Sequence, residues 1–321
     1  MAKSSRSDKI LSQVRRRLKH VERAMAKSSR SDKILSQVRR RLKHVELEWT
    51  PQAYLDTGNP MLNNVLGHPD LGIPYGRVME VSGMESHGKT ALVTTLAAIA
   101  QQQGAYVVWI DFENSYDPEW VKKRGLDTES DFLLFQPYEG MFGNEKSPRI
   151  ISGNELCDEV EDALPLIHKH ANRIVLVVDS VPAILLTEEA DSDVADRNLR
   201  TNMALPMFLG ALLRRWISKA RNYNILLIFI NQLRQNPMQL FGSPYYTPGG
   251  NALKFYSHCR VRVQRTKGGR VMHMGKQVGI QGVMTNIKNK AGGLEGSQIG
   301  YRILFDGPTE FLDPKEIKKS Q

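Results

Sequence analysis

GMESHGKT, running from Gly83 to Thr90, has the spacing G-x-x-x-x-G-K-[ST] of a phosphate-binding loop. Glycines in such a loop let successive backbone N–H groups point at one anion. The N-terminus of the helix that follows adds its dipole. Gly83 and Gly88 hold the glycine positions, with Glu85 and Ser86 between them. Lys89 is expected to reach the β- and γ-phosphates of a nucleoside triphosphate, and the Thr90 hydroxyl to hold Mg²⁺. An eight-residue pattern gains force from its setting, which must be strand, then helix. Val78–Ser82 reads as a short strand, and Thr90–Gln103 reads as a helix with Leu92, Leu96 and Ile99 inward.

Outward from the loop, AYVVWIDFE (105–113), RIVLVVDS (173–180) and NILLIFINQ (224–232) are continuous apolar runs of the kind buried inside parallel sheets. Helical segments lie between them, notably 203–222. Strands alternating with helices predict an α/β fold, a mostly parallel sheet with helices on both faces. Residues 259–292 alternate with period two, as an antiparallel extension would, and YRILFDG (301–307) closes the core. The core is expected at 59–307, after a linker at 47–58 and before a tail at 308–321.

The strand ends carry the candidate chemistry. Asp179 is either an acidic residue near Mg²⁺ or an ordinary strand-end Asp. Glu113 is placed to orient and activate an attacking water, or to sit in a strand-end salt bridge. Gln232 can bond a γ-phosphate and report its loss. LRQNPMQLFGSPYYTPGG (233–250) follows at once, and a loop this long is usually functional or disordered. Arg234 can meet phosphates, while Met238 and Phe241 can wedge between bases or stack on them. Gly249 and Gly250 permit close backbone approach. The alternative is a mobile lid over the nucleotide. EEADSDVADRNLRTN (188–202) is a second polar excursion.

Hydrophobic residues make up 41% of the chain, enough for a real core. No apolar run approaches the ~18 residues of a membrane span, and the basic N-terminus lacks the apolar stretch of a secretory signal. Cys157 and Cys259 have neither metal-ligand nor framework spacing, which fits reduced thiols in a cytoplasm. The net charge of +10 is concentrated: residues 1–46 carry fifteen Lys and Arg against four Asp and Glu. Such an arm is a nucleic-acid contact or a solvated helix face. Residues 1–22 recur unchanged at 25–46, so 1–24 reads as a duplicated start ahead of Met25. In the retained copy, Leu35, Val38 and Leu42 fall on one helical face with Ile34 and Val45. A lone helix of this length is marginal, so its stripe needs its own core or a neighbouring subunit.

Together these motifs resemble the bacterial and phage RecA-type recombinase family, over about residues 32–307. GMESHGKT resembles that family's phosphate loop, with His87 where a small residue is usual. DFENSYDP resembles the segment bearing its catalytic Glu, here Glu113, and VVDSVPAI its magnesium-site strand, here Asp179 and Ser180. LLIFINQLR and TPGGNALKFY bracket what in the family is the second DNA-binding loop, and LDTGNPMLNNVLG resembles the segment opening the core. IKNKAG resembles a strand whose two lysines, here Lys288 and Lys290, act across a subunit interface. The resemblance implies an adenine site at Asp117 and Trp120, with Trp120 replacing a Tyr. It implies DNA contacts at Arg214, Arg234 and the Gly249-Gly250-Asn251 turn, and subunit contacts at Phe255 and the helix bearing Leu35, Val38 and Leu42. The implied activity uses ATP and Mg²⁺. A helical filament of the protein on single-stranded DNA pairs it with homologous double-stranded DNA and exchanges strands, with DNA-stimulated hydrolysis through Lys89, Glu113 and Gln232. The family's C-terminal domain has no counterpart before Gln321. A ring helicase of the same core and a non-enzymatic DNA-coating or mediator protein remain as rival readings.

Overall fold

The computed structural model describes Lys33 and residues 50–139, 149–190, 199–235 and 244–319. The chain divides into two units, Met1–Thr50 and Pro51–Gln321, the second of which holds the main sheet and the helices that flank it. The expected interface stripe of Leu35, Val38 and Leu42 lies outside the described residues, as do Met238 and Phe241.

The main sheet has nine strands. In chain order they are β1 (Arg77–Gly83), β2 (Tyr106–Asp111), β3 (Phe132–Phe135), β4 (Ile174–Asp179), β5 (Ile225–Gln232), β6 (Cys259–His273), β7 (Lys276–Asn289), β8 (Gln298–Leu304) and β9 (Thr309–Leu312). Their spatial order is β9-β8-β7-β6-β1-β5-β4-β2-β3. From β6 through β3 every neighbouring pair is parallel. From β6 outward through β7, β8 and β9 every pair is antiparallel. The described helices of five or more residues are α1 (Pro60–Leu66), α2 (Lys89–Gln102), α3 (Pro118–Lys122), α4 (Gly153–His168), α5 (Leu199–Asn222), α6 (Ala252–Tyr256) and α7 (Pro314–Lys319).

The two-residue period of the strands divides the core into two layers. Val107, Trp109, Val175 and Val177 point to the face that packs α2 through Leu92 and Leu96. Their neighbours Val108, Ile110, Leu176 and Val178 face α4 and α5, meeting Val160, Leu164, Leu209 and Trp216. Burying such a side chain fully is worth about 1.5–3 kcal/mol each, so the central strands are apolar on both sides. The sequence announces α4 twice: Ser152 and Glu155 form a capping box at its start, and its Leu and Val recur at helical spacing.

Two features lie outside the sequence expectation. The first residues of β6 pair in parallel with the phosphate-loop strand, Cys259 opposite Met79 and Val263 opposite Gly83. The antiparallel extension read from the alternation is therefore rooted beside the loop itself. And the sheet does not close at 307. Thr309–Leu312, in the expected tail, pairs with β8, and Ile317 of α7 is fully buried.

Candidate nucleotide site and nucleic-acid loops

Parallel register brings the chemistry to one edge. Gly83 ends opposite Gln232, and Asp111 ends opposite Asp179, so the expected residues cluster at the carboxyl ends of β1, β2, β4 and β5. Crevices there are the usual ligand sites of α/β sheets. A cavity of about 480 Å³ opens at this edge, lined by Glu85, Ser86, Gly88, Lys89, Thr90, Glu113, Trp120, Arg124, Asp179, Gln232, Arg265, Gln277, Ile280, Ile303 and Phe305.

The phosphate loop is fixed before any ligand arrives. Gly88 caps α2 in the left-handed region at φ 89°, where a side chain is strained, and a Cβ there would overlap Ile303 Cδ1. The Tyr301 hydroxyl donates to the His87 carbonyl at 2.7 Å. The His87 ring, in place of a small residue, lies with Nδ1 3.4 Å from the Val263 carbonyl. Lys89 is buried, and its Nζ donates to the Met84 carbonyl at 2.9 Å. Burial lowers its pKa, and Glu113, Asp179 and Glu85 oppose that fall.

Asp179 is buried, and desolvation first, then the Glu113 charge, pushes its pKa up to about 7, against the Thr90 hydroxyl and Lys89. Its Oδ1 is buried without a hydrogen-bond partner. That orphaned oxygen beside Thr90 fits Mg²⁺, which takes one or two protein oxygens and completes its shell with water and phosphate. Among the described residues no group of three His, Cys, Asp or Glu is placed to hold a metal unaided.

Glu113 lies just beyond β2 rather than at its end. Its position is set by Asp111, a buried carboxylate that accepts from the Ser115 and Tyr116 amides at 3.3 and 3.0 Å and from Gln136 Nε2 at 3.0 Å. Glu113 Oε1 accepts from the Ser180 hydroxyl and from Gln232 Nε2, the latter at 3.3 Å. It makes no salt bridge to Lys or Arg among the described residues. Farther along the cavity, Trp120, Ile280, Ile303 and Phe305 make an apolar slot of the kind a nucleobase fills. Asp117 is the N-cap of α3, where Oδ1 accepts from the Glu119 and Trp120 amides at 2.9 and 3.2 Å, so it sets the entry of the turn that carries Trp120.

The second loop begins where Gln232 ends β5. Leu233 N donates to the Gly83 carbonyl at 3.0 Å, which ties its first arm to the phosphate loop. Arg234–Gln235 then pairs antiparallel with Tyr245–Tyr246, making a short ribbon with Arg234, Tyr245 and Tyr246 exposed. The second arm is tied by Asn231, whose Nδ2 donates to the Pro248 carbonyl at 3.1 Å and to Glu80 Oε1 at 2.9 Å. Glu80, fully buried in β1, also pairs with Arg260 Nε at 2.5 Å. The close backbone approach expected of Gly249 and Gly250 is an approach to α5: a Cβ on Gly249 would lie 2.5 Å from Leu209 Cδ1, and one on Gly250 3.0 Å from Pro206 Cβ. Asn251 is the N-cap of α6 without a side-chain capping bond. Arg214 is exposed on α5. The expected first loop at 188–202 is helical at both its ends, in Thr187–Ala190 and in the start of α5 from Leu199, and residues 191–198 between them are outside the described set.

The family model for the RecA N-terminal domain matches residues 13–295. The chain belongs to the RecA family. Proteins named "Protein RecA" from Pseudomonas fluorescens and Pseudomonas savastanoi pv. phaseolicola are 34% identical to it over 236 residues, 74% of this chain. A further Pseudomonas fluorescens relative is 34% identical over 251 residues, 78% of this chain. The match spans 60% of the length of the first two relatives and 64% of the third.

Within this RecA-family chain, Lys288 and Lys290 are not among the residues lining the cavity. Lys288 Nζ instead donates to the carbonyls of Lys254 and Phe255 at 2.7 and 3.1 Å, at the C-terminal end of α6. Phe255 beside them is 75% exposed. Sequence reasoning missed Arg265, Gln277, Ile280, Ile303 and Phe305 of the cavity, because they sit on elements far along the chain, and Arg124, which reaches the cavity only by folding over the Trp120 ring. It also missed the Glu80–Arg260–Asn231 network. A Glu inside the apolar run VMEVS was the available signal, since buried carboxylates are rarely without partners.

Proposed function

We propose that this RecA-family chain is a DNA-dependent ATPase that assembles on single-stranded DNA as a helical filament, pairs it with homologous duplex and exchanges strands, in the cytoplasm of a bacterium or an infected host. The observation that carries this reading is the bond from Gln232 to Glu113. One residue ends the strand that opens the second loop. The other is a carboxylate that lines the cavity with Lys89, Thr90 and Asp179 and makes no salt bridge among the described residues.

ATP enters with its base in the slot at Trp120, Ile303 and Phe305 and its phosphates on the amides of Gly83–Thr90. Lys89 moves from the Met84 carbonyl to the β/γ-phosphates. Thr90 and Asp179 would hold Mg²⁺, which when bound would neutralise phosphate charge that builds up in transfer. Glu113 accepts the proton of the attacking water, and Ser180 orients that carboxylate by donating to it. A γ-phosphate competes with Glu113 for the Gln232 amide, so the root of the second loop registers nucleotide state. Lys288 and Lys290, which do not line their own chain's cavity, complete the site of the adjacent protomer, Lys288 doing so from beside exposed Phe255. Head-to-tail contacts of that kind are heterologous and give open filaments. Arg214, Arg234 and the Gly249–Asn251 turn then border the DNA path, and Met238 and Phe241, which fall between Arg234 and Gly249 in the sequence, meet the bases.

The test is phosphate release with and without a homopolymeric single strand, with electron microscopy of the same samples. The reading expects DNA to raise turnover by about tenfold or more and filaments whose length follows the DNA. Rings, or DNA coating without turnover, would replace it with one of the rival readings.

A further inference from the structure

Arg124 is an arginine that is 5% exposed, in the wall of the nucleotide cavity. Its guanidinium carbon lies 3.6 Å from the centroid of the Trp120 ring. Nη1 donates to the Trp120 carbonyl at 2.9 Å and Nη2 to the Leu304 carbonyl at 3.3 Å. The next residue back, Lys123, pairs with Asp306 at 2.6 Å. Successive residues at the end of α3 therefore grip both sides of Phe305, at the end of β8. No acidic side chain pairs with the guanidinium among the described contacts, and its Nε is buried without a partner. Burial also lowers its pKa, with Asp306 opposing. A cation kept dry and unpaired by carboxylates is costly unless something else holds it, and what holds it is the ring face and two carbonyls.

We infer that Arg124 is the positioning residue of the base slot: it presses flat against Trp120 and ties that ring to the Leu304–Phe305 wall, so that slot width and the ring's free face are set before a purine enters. This rests on the nucleotide reading above. The guanidinium covers one face of the indole, so a base stacking on the ring takes the opposite face. The planar fork matters as much as the charge, because it stacks and bonds two carbonyls together, which an ammonium cannot do. Purines overlap an indole more fully than pyrimidines, so a fixed ring favours them.

The experiment is steady-state hydrolysis of ATP and CTP with single-stranded DNA, plus calorimetric titration of ADP, on the full chain and its Arg124→Leu, Arg124→Lys and Trp120→Leu variants. Arg124→Leu should raise the KM for ATP and the Kd for ADP by about tenfold, the range of a desolvated cation–π contact, with kcat unchanged and the ATP-over-CTP preference reduced. Arg124→Lys should recover only part of the loss. In the Trp120→Leu background, Arg124→Leu should add less than about twofold, because the guanidinium acts through the ring. Unchanged KM and Kd in Arg124→Leu would overturn the assignment. So would a fall in kcat and thermal midpoint together at an unaltered ATP-to-CTP ratio, which marks a merely structural role. If Arg124→Leu does not fold, Arg124→Lys decides: a rise in KM of about threefold or more supports the inference, and no rise overturns it. Wild-type protein that binds no ADP would sink the nucleotide reading itself, a failure visible before any variant is made.

Discussion

The phosphate loop and the second loop leave the same edge of adjacent strands, yet they are held in different ways. The phosphate loop is stitched along its length, by Tyr301 to His87, by Lys89 to Met84 and by Gly88 packed on Ile303. The second loop is held at its roots, by Leu233 on Gly83, Asn231 on Pro248 and the Arg234–Tyr246 ribbon. Arg234, Tyr245 and Tyr246 are exposed there; in the phosphate loop Met84, Glu85 and Ser86 are exposed as well, but His87 and Lys89 after them are tied down. A site that must bind charge gains from donors fixed in advance, since no reorganisation is then needed. A segment that must answer to nucleotide needs roots made of bonds that a ligand can exchange, and Gln232 on Glu113 is such a bond.

The comparison breaks first at Glu113. Glu113→Gln should reduce turnover by about 10²- to 10⁴-fold, the usual worth of a positioned base, while ADP affinity by calorimetry stays near wild type. Turnover close to wild type would place the base elsewhere. Next comes the buried anchor under both loops. Arg260→Met leaves Glu80 buried and without its cation, which should cost about 3–5 kcal/mol of stability. Urea denaturation reads that loss, and a change below about 1 kcal/mol would mean water reaches Glu80. Gly249→Ala sharpens the claim that the second arm is packed on α5. With φ at 89° and Leu209 in the way, it should cost about 1–2 kcal/mol, again by denaturation, and leave the KM for ATP unaltered. An unchanged midpoint would show the arm free of α5. The smallest effect is expected at the ribbon: Tyr246→Ala should weaken single-strand binding by about 1 kcal/mol in anisotropy titrations. No change there would remove the ribbon from the DNA path.

Much of this contrast is legible in the sequence, and unevenly so. β1, β2, β4 and β5 are rich in apolar residues on both faces because two helical layers cover them, and that doubles the signal of a strand. Gly83–Thr90 is legible because backbone geometry dictates its residues directly. The ribbon at 234–235 and 245–246 looks like plain loop in the sequence, since two-residue strands carry no periodicity. Thr309–Leu312 looks like tail because it is half-buried and short, and its place is fixed by pairing with Gly300–Ile303. The base slot is half legible. Trp120 follows Glu113 closely enough along the chain to be linked to the site, but Ile303 and Phe305 reach it only through the sheet order, and Arg124 only through the ring it covers. The Glu80–Arg260–Asn231 network spans three adjacent strands, and no local pattern encodes that.

The central claim is that the state of the nucleotide reaches the second loop through Gln232. Its most direct test is the affinity for a labelled single strand, measured by anisotropy with a non-hydrolysable ATP analogue and with ADP, in wild type and in Gln232→Ala. The account predicts an affinity about tenfold or more higher with the ATP analogue in wild type, and near-equal affinities in the variant. Equal affinities in wild type, or a full difference retained in Gln232→Ala, would contradict it.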